Sequence, residues 1–109
     1  MRYEVVISVG DLRLSPSDSR KLIKVIQGIN GFDTVIIKTG SEYDSNIEDD
    51  GEDSETMFSE IVFFVDGNVE NASTIANEVI NQIVTMFQAP KKRIVLTMTE
   101  IENILFFFD

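Results

Sequence analysis

Met57-Phe58-Ser59-Glu60-Ile61-Val62-Phe63-Phe64-Val65-Asp66 is the stretch on which the fold turns. Strict alternation puts Ile61, Phe63 and Val65 on one side and Val62 and Phe64 on the other. A run this rich in β-branched and aromatic residues, closed by the turn signal Asp66-Gly67, predicts a strand with apolar side chains on both faces. A second such run precedes it at Phe32–Thr39, with Val35, Ile36 and Ile37 at its centre. No helical pattern separates the two, so two strands follow one another in the middle of the chain.

Working outward, each side of that strand pair carries a helix and then a further strand. Towards the N-terminus, Leu22, Val25, Ile26 and Ile29 recur at helical spacing. Ser15 is placed to cap this helix, Pro16 suits its first position, and Asp18 complements its positive end. Asn30-Gly31 ends it, because both residues tolerate positive φ. Before it, Tyr3–Val9 alternates as a strand closed by Gly10 and Asp11. Towards the C-terminus, Ala72, Ile75, Ala76, Val79, Ile83, Met86 and Phe87 define a second helix, with Asn71 or Ser73 as its cap and Pro90 beyond its end. Arg93–Thr99 reads as a fourth strand and Ile104–Phe108 as a short fifth.

The order β-α-β-β-α-β predicts a single α+β domain over residues 1–109. The expected fold is a ferredoxin-like two-layer sandwich, an antiparallel sheet with two helices on one face. An extra C-terminal strand is expected to extend the sheet.

Charge is distributed unevenly along this frame. The net charge is −10. Residues 1–40 carry a net +2, residues 41–60 carry −9 with no base, and residues 61–109 carry −3. Residues 41–55 are almost without apolar content and predict a flexible acidic loop, longer than the usual connection. A chain with this field repels nucleic acid and anionic membranes, so neither is expected as a partner. Tyr3 with Phe63 or Phe64 would suit an RNA-binding sheet, but the basic and glycine residues of that signature are missing. No apolar run approaches the roughly 18 residues of a membrane helix. With no secretory segment recognised at the N-terminus, the expected location is the cytoplasm.

The chain has no cysteine and no histidine. Disulfides, zinc fingers, thiol nucleophiles and His-dependent triads are therefore excluded. No cofactor is expected. The best calcium register places Asn46, Glu48, Asp50 and Gly51 suitably, but Met57 falls where the bidentate Glu belongs. No metal site is expected either. Asp11 and Asp66 close the first and third strands, which run antiparallel, so the topology sends them to opposite ends of the sheet. A two-carboxylate catalytic centre does not form from that pair, and no enzymatic activity is expected.

Four candidate regions remain. The acidic segment offers Asp44, Glu48, Asp49, Asp50, Glu52, Asp53 and Glu55 as electrostatic contacts, with Tyr43 and Met57 as apolar anchors. Ser45, Ser54, Thr56 and Ser59 lie among these acids as candidate phosphorylation sites. Val6, Val62, Phe64, Val95, Leu105 and Phe107 would form a second apolar sheet face suited to a homodimer or larger homo-oligomer. The connector Gly10–Asp18 could hold an anion, with Arg13 and Arg20 adding charge. Lys91, Lys92 and Arg93 form a small basic cluster. By size and charge, the leading expectation is an inhibitor- or immunity-like module that occludes a basic surface of a partner protein. The alternatives are a structural or regulatory oligomerisation domain working through the sheet face or edge, and a small-ligand-binding regulatory domain.

Overall fold

A computed structural model describes residues 1–31, 34–44 and 54–101. Its elements are β1 (Arg2–Gly10), α1 (Pro16–Asn30), β2 (Val35–Asp44), β3 (Ser54–Asp66), α2 (Val69–Phe87) and β4 (Ile94–Ile101), with a 3-10 turn at Lys91–Arg93. The strands form one antiparallel sheet in the order β2-β3-β1-β4. This is the ferredoxin-like arrangement, α+β in two layers. The expected fifth strand at Ile104–Phe108 lies outside the described residues.

The core follows from period two in the strands and period 3.6 in the helices. Val5, Ile7 and Val9 of β1 pair across the sheet with Phe63, Ile61 and Ser59 of β3. All six side chains are fully buried. Leu22 and Ile26 of α1, with Ala72, Ala76, Val79 and Ile83 of α2, close over them. The small residues Ala72 and Ala76 let α2 approach the sheet closely. At ~25 cal/mol per Å² of apolar surface, this shared face is the main source of stability.

The helix ends show which local signals acted. Ser15 caps α1, its Oγ accepting from Asp18 N at 3.1 Å. Gly31 ends that helix at φ 70° and donates its N–H to Gln27 O. For α2 the cap is Asn68, three residues earlier than the first of the two expected residues. Its Oδ1 accepts from Asn71 N at 2.8 Å. Asn71 instead lies inside the helix and donates from Nδ2 to Asp66 O. Gly67 at φ 126° makes the turn that brings Asn68 into place.

The boundaries of the central strands are corrected. Ser41–Asp44 and Ser54–Thr56 are not loop: they pair in register, Ser41 with Met57 and Asp44 with Ser54. Residues 45–53 of the expected loop lie outside the described residues. β1 accompanies β3 only as far as Phe58, opposite Gly10. The β2–β3 hairpin therefore extends past the sheet body as a two-stranded arm.

Among the described residues, no helix is long and apolar enough to cross a membrane.

Candidate functional site

Antiparallel pairing places each cross-strand pair on one face, so the register assigns the outer face directly. Val6 is opposite both Val62 and Thr97, Val62 is opposite Ile36, Glu4 is opposite Phe64, and Ser8 is opposite Val95. Val6, Val62, Phe64 and Val95 thus share the face that the helices leave open. Ile36 and Phe58 stand on the same face. Ile36 is 43% exposed and Val95 61%, while Val6, Val62, Phe64 and Phe58 are half-buried. Leu105 and Phe107, expected on this face, lie outside the described residues. The sheet body therefore carries an apolar row over three strands, Ile36, Val62 and Val6, which meets Thr97 on β4. Val95 stands one row away beside Ser8, and Glu4, Lys38 and Glu60 share the face.

Gly40 has a particular role here. It is the cross-strand partner of Phe58. A Cβ at Gly40 would lie 2.8 Å from Phe58 Cζ. The far end of the phenyl ring therefore occupies the space that a side chain at Gly40 would need. The ring covers strand surface that the glycine leaves bare.

The arm adds unpaired main chain. Among the described residues, no strand accompanies Ser54–Met57 on the β1 side. One contact is made there: Asp11 N donates to Met57 O at 2.8 Å. Asp11 has φ 58°, which turns the chain away from the β1 track. Among the described residues, β2 and β4 are the edge strands of the sheet.

On the inner side, a buried hydroxyl of β3 ties down the β1–α1 connector. Ser59 Oγ donates to Leu12 O at 2.7 Å and accepts from Leu14 N at 3.2 Å. Ser59 is fully buried, so the expectation that it could be phosphorylated is withdrawn. Arg13 sits between the two anchored residues, and its side chain lines two adjoining cavities against β2. Of the expected connector residues, Arg20 is exposed and does not line either cavity.

The acids at the strand ends form separate ion pairs. Asp66 accepts from Arg2 Nε at 2.9 Å at one end of the sheet, and Arg93 pairs with Asp11 at 2.7 Å at the other. The hydrogen bond from Arg2, with its positive charge, holds the Asp66 carboxyl below its ordinary value, and the same bond raises Arg2. Arg93 of the basic cluster thus pairs with the connector. Among the described residues, no group of three carboxylates converges to hold a metal ion.

Of the residues expected to contact a basic partner, Tyr43, Asp44 and Glu55 belong to the paired strands of the arm. Met57 is 37% exposed and lines the smaller cavity beside Arg13. Glu48, Asp49, Asp50, Glu52 and Asp53 lie outside the described residues, as do Asn46 and Gly51 of the calcium register and Ser45.

No protein-family model matches the sequence, and no curated protein matches it. Solved structures do match. The periplasmic divalent cation tolerance protein CutA from Archaeoglobus fulgidus superposes with a TM-score of 0.54 at 17% identity, over 96% of this chain and 88% of that one. CutA from Pyrococcus horikoshii, solved in 3 M guanidine hydrochloride, gives 0.49 at 8% identity over 93% and 87%, too low to bear on the argument. The expectation of an inhibitor- or immunity-like module occluding a basic partner is corrected by this likeness. A protein that shares the fold is described as a divalent cation tolerance protein, and part of the supposed recognition loop is paired strand. What the likeness to the archaeal CutA shows of this chain is its ferredoxin-like fold.

Proposed function

We propose that this chain is a regulatory domain that works as a homo-oligomer, assembled through the outer face of its sheet. One observation carries the reading: Ile36 stands exposed at the end of an apolar row that runs over Val62 and Val6, with the exposed Val95 diagonal to Val6 on β4. The free face of an antiparallel sheet ordinarily alternates to polar residues. Contiguous apolar surface on such a face marks an association site. The unpaired main chain of the arm and the two edge strands are further surfaces that a neighbouring copy can cover.

The regulatory part of the reading draws on the archaeal protein, described as acting in divalent cation tolerance. The described residues offer no converging set of carboxylates for a cation, so regulation through assembly is the form we adopt. The reading assigns no catalytic step and no nucleic-acid or membrane partner. It keeps the cytoplasm as the location, against the periplasm named for the archaeal protein, and fractionation of a tagged chain decides between them.

Sedimentation velocity tests the assembly. The unmodified chain is expected to sediment as an oligomer. An Ile36→Glu/Val95→Glu variant is expected to sediment as a monomer with an unchanged circular dichroism spectrum. Both positions are exposed within a protomer, so each substitution should change its stability by only about 0.5 kcal/mol. A monomeric unmodified chain over the whole accessible concentration range would overturn the reading.

A further inference from the structure

We propose that the groove between the β1–α1 connector and β2 is a binding site for a small hydroxylated organic acid, held at its carboxylate by Arg13. This goes beyond assembly through the sheet and uses the opposite, helix-bearing side of β2.

The groove consists of two adjoining cavities of about 330 and about 440 Å³, which share Arg13 and Thr39 in their walls. That is the size range of sites for small organic ligands and more than an inorganic ion fills. Its polar lining is one guanidinium with the hydroxyls of Ser15, Ser19, Thr39 and Ser41, of which Ser15 is engaged as the helix cap, and Ile37 and Met57 supply apolar wall. In a chain with 19 acids and nine bases, no acidic residue lines either cavity among the described residues. Among the described lining residues, Arg13 is therefore the one charged group.

Arg13 is also held in place. Ser59 bonds the main chain on each side of it, at Leu12 O and Leu14 N, and Leu14 is itself buried. The anchored backbone fixes the root of the exposed Arg13 side chain at the edge of the groove, within reach of a ligand. The guanidinium fork matches a carboxylate in two parallel hydrogen bonds. The surrounding hydroxyls donate and accept, and so suit a ligand that carries hydroxyl groups of its own.

The start of α1 is not what binds. Pro16 has no N–H, Asp18 N is engaged by Ser15 Oγ, and Ser19 N donates to Ser15 O. Recognition falls on Arg13 and the hydroxyls across the groove.

The test uses the unmodified full chain, with malate and inorganic phosphate as separate probes and sodium chloride at matched ionic strength as control. Thermal shift gives the affinity, and amide chemical shifts locate the ligand. Malate is expected to raise the melting temperature saturably and to move the amides of Arg13, Thr39 and Ser41. Arg13→Gln should weaken it about tenfold or more, as loss of a charged hydrogen-bonding group implies. Arg13→Lys should recover only part of that loss, and Arg20→Gln should leave it unchanged. Phosphate alone binding as well as malate would replace the organic acid with a simple oxyanion and overturn the assigned class. No response to either probe, or an equal malate response in Arg13→Gln, would overturn the site.

Discussion

Phe63 and Phe64 are neighbours in the chain and opposites in the fold. Phe63 is fully buried beneath the helices, among Val5, Ile7 and Val65. Phe64 is half-buried on the open face, opposite Glu4. The inner face is closed by six helix side chains and forms the core. The outer face carries apolar residues that, among the described residues, have no helix over them. On the proposed assembly, one β-strand serves two ends, stability through one parity of its residues and association through the other.

That contrast can be broken at several points. The largest effect is expected from Phe63→Ala, which opens a cavity in the core and should cost about 3–5 kcal/mol in urea unfolding. Phe64→Ala should cost only about 1 kcal/mol in the protomer and show its main effect as weaker association in sedimentation. Equal losses of protomer stability from the two would erase the distinction between the faces.

Ser59→Ala comes next. It is the polar exception on the inner face, and its removal leaves Leu14 N buried without a partner. A loss of about 1–3 kcal/mol is expected, with faster hydrogen exchange at Leu14 as the local signature. On the outer face, Gly40→Ala places a Cβ where the Phe58 ring now lies. The ring can swing aside, so the expected cost is about 1 kcal/mol, the scale of an off-rotamer side chain, and Phe58 becomes more accessible to solvent.

The smallest effect belongs to the exposed Arg2–Asp66 pair. A carboxyl held low in the folded state adds stability that is present above its unfolded value. That stability is lost as pH falls through the lowered value. The pair is exposed and solvent-screened, so the readable quantity is the titration itself. In Arg2→Gln, the Asp66 carboxyl should titrate at higher pH by NMR. An unmoved midpoint would show that Arg2 does not hold it.

The inner face was legible from sequence because burial imposes strict alternation, as at Tyr3–Val9 and Ile61–Val65. The α1 boundaries were legible because Ser15, Pro16 and Gly31 each have a local backbone reason for their place. The arm was not. Ser41–Asp44 has no body of sheet to pack on, so it carries no apolar alternation and reads as loop. The Asn68 cap was missed because Asn71 and Ser73 are equally good cap residues by type, and Gly67 decides among them only through its turn. For the open face, Val6, Val62, Phe64 and Val95 were found by parity. Phe58 was missed because its relation to Gly40 depends on the β2–β3 register. Arg13 could be named as a connector residue, but its backbone clamp depends on Ser59, 46 positions away.

The most direct measurement is solvent paramagnetic relaxation of the valine methyl groups across a dilution series. Val5 and Val9 report the inner face and Val6, Val62 and Val95 the outer one. Assembly through the open face predicts that Val6, Val62 and Val95 are shielded at high concentration and become accessible on dilution, while Val5 and Val9 stay shielded throughout. Outer methyl groups equally accessible at every concentration would contradict it.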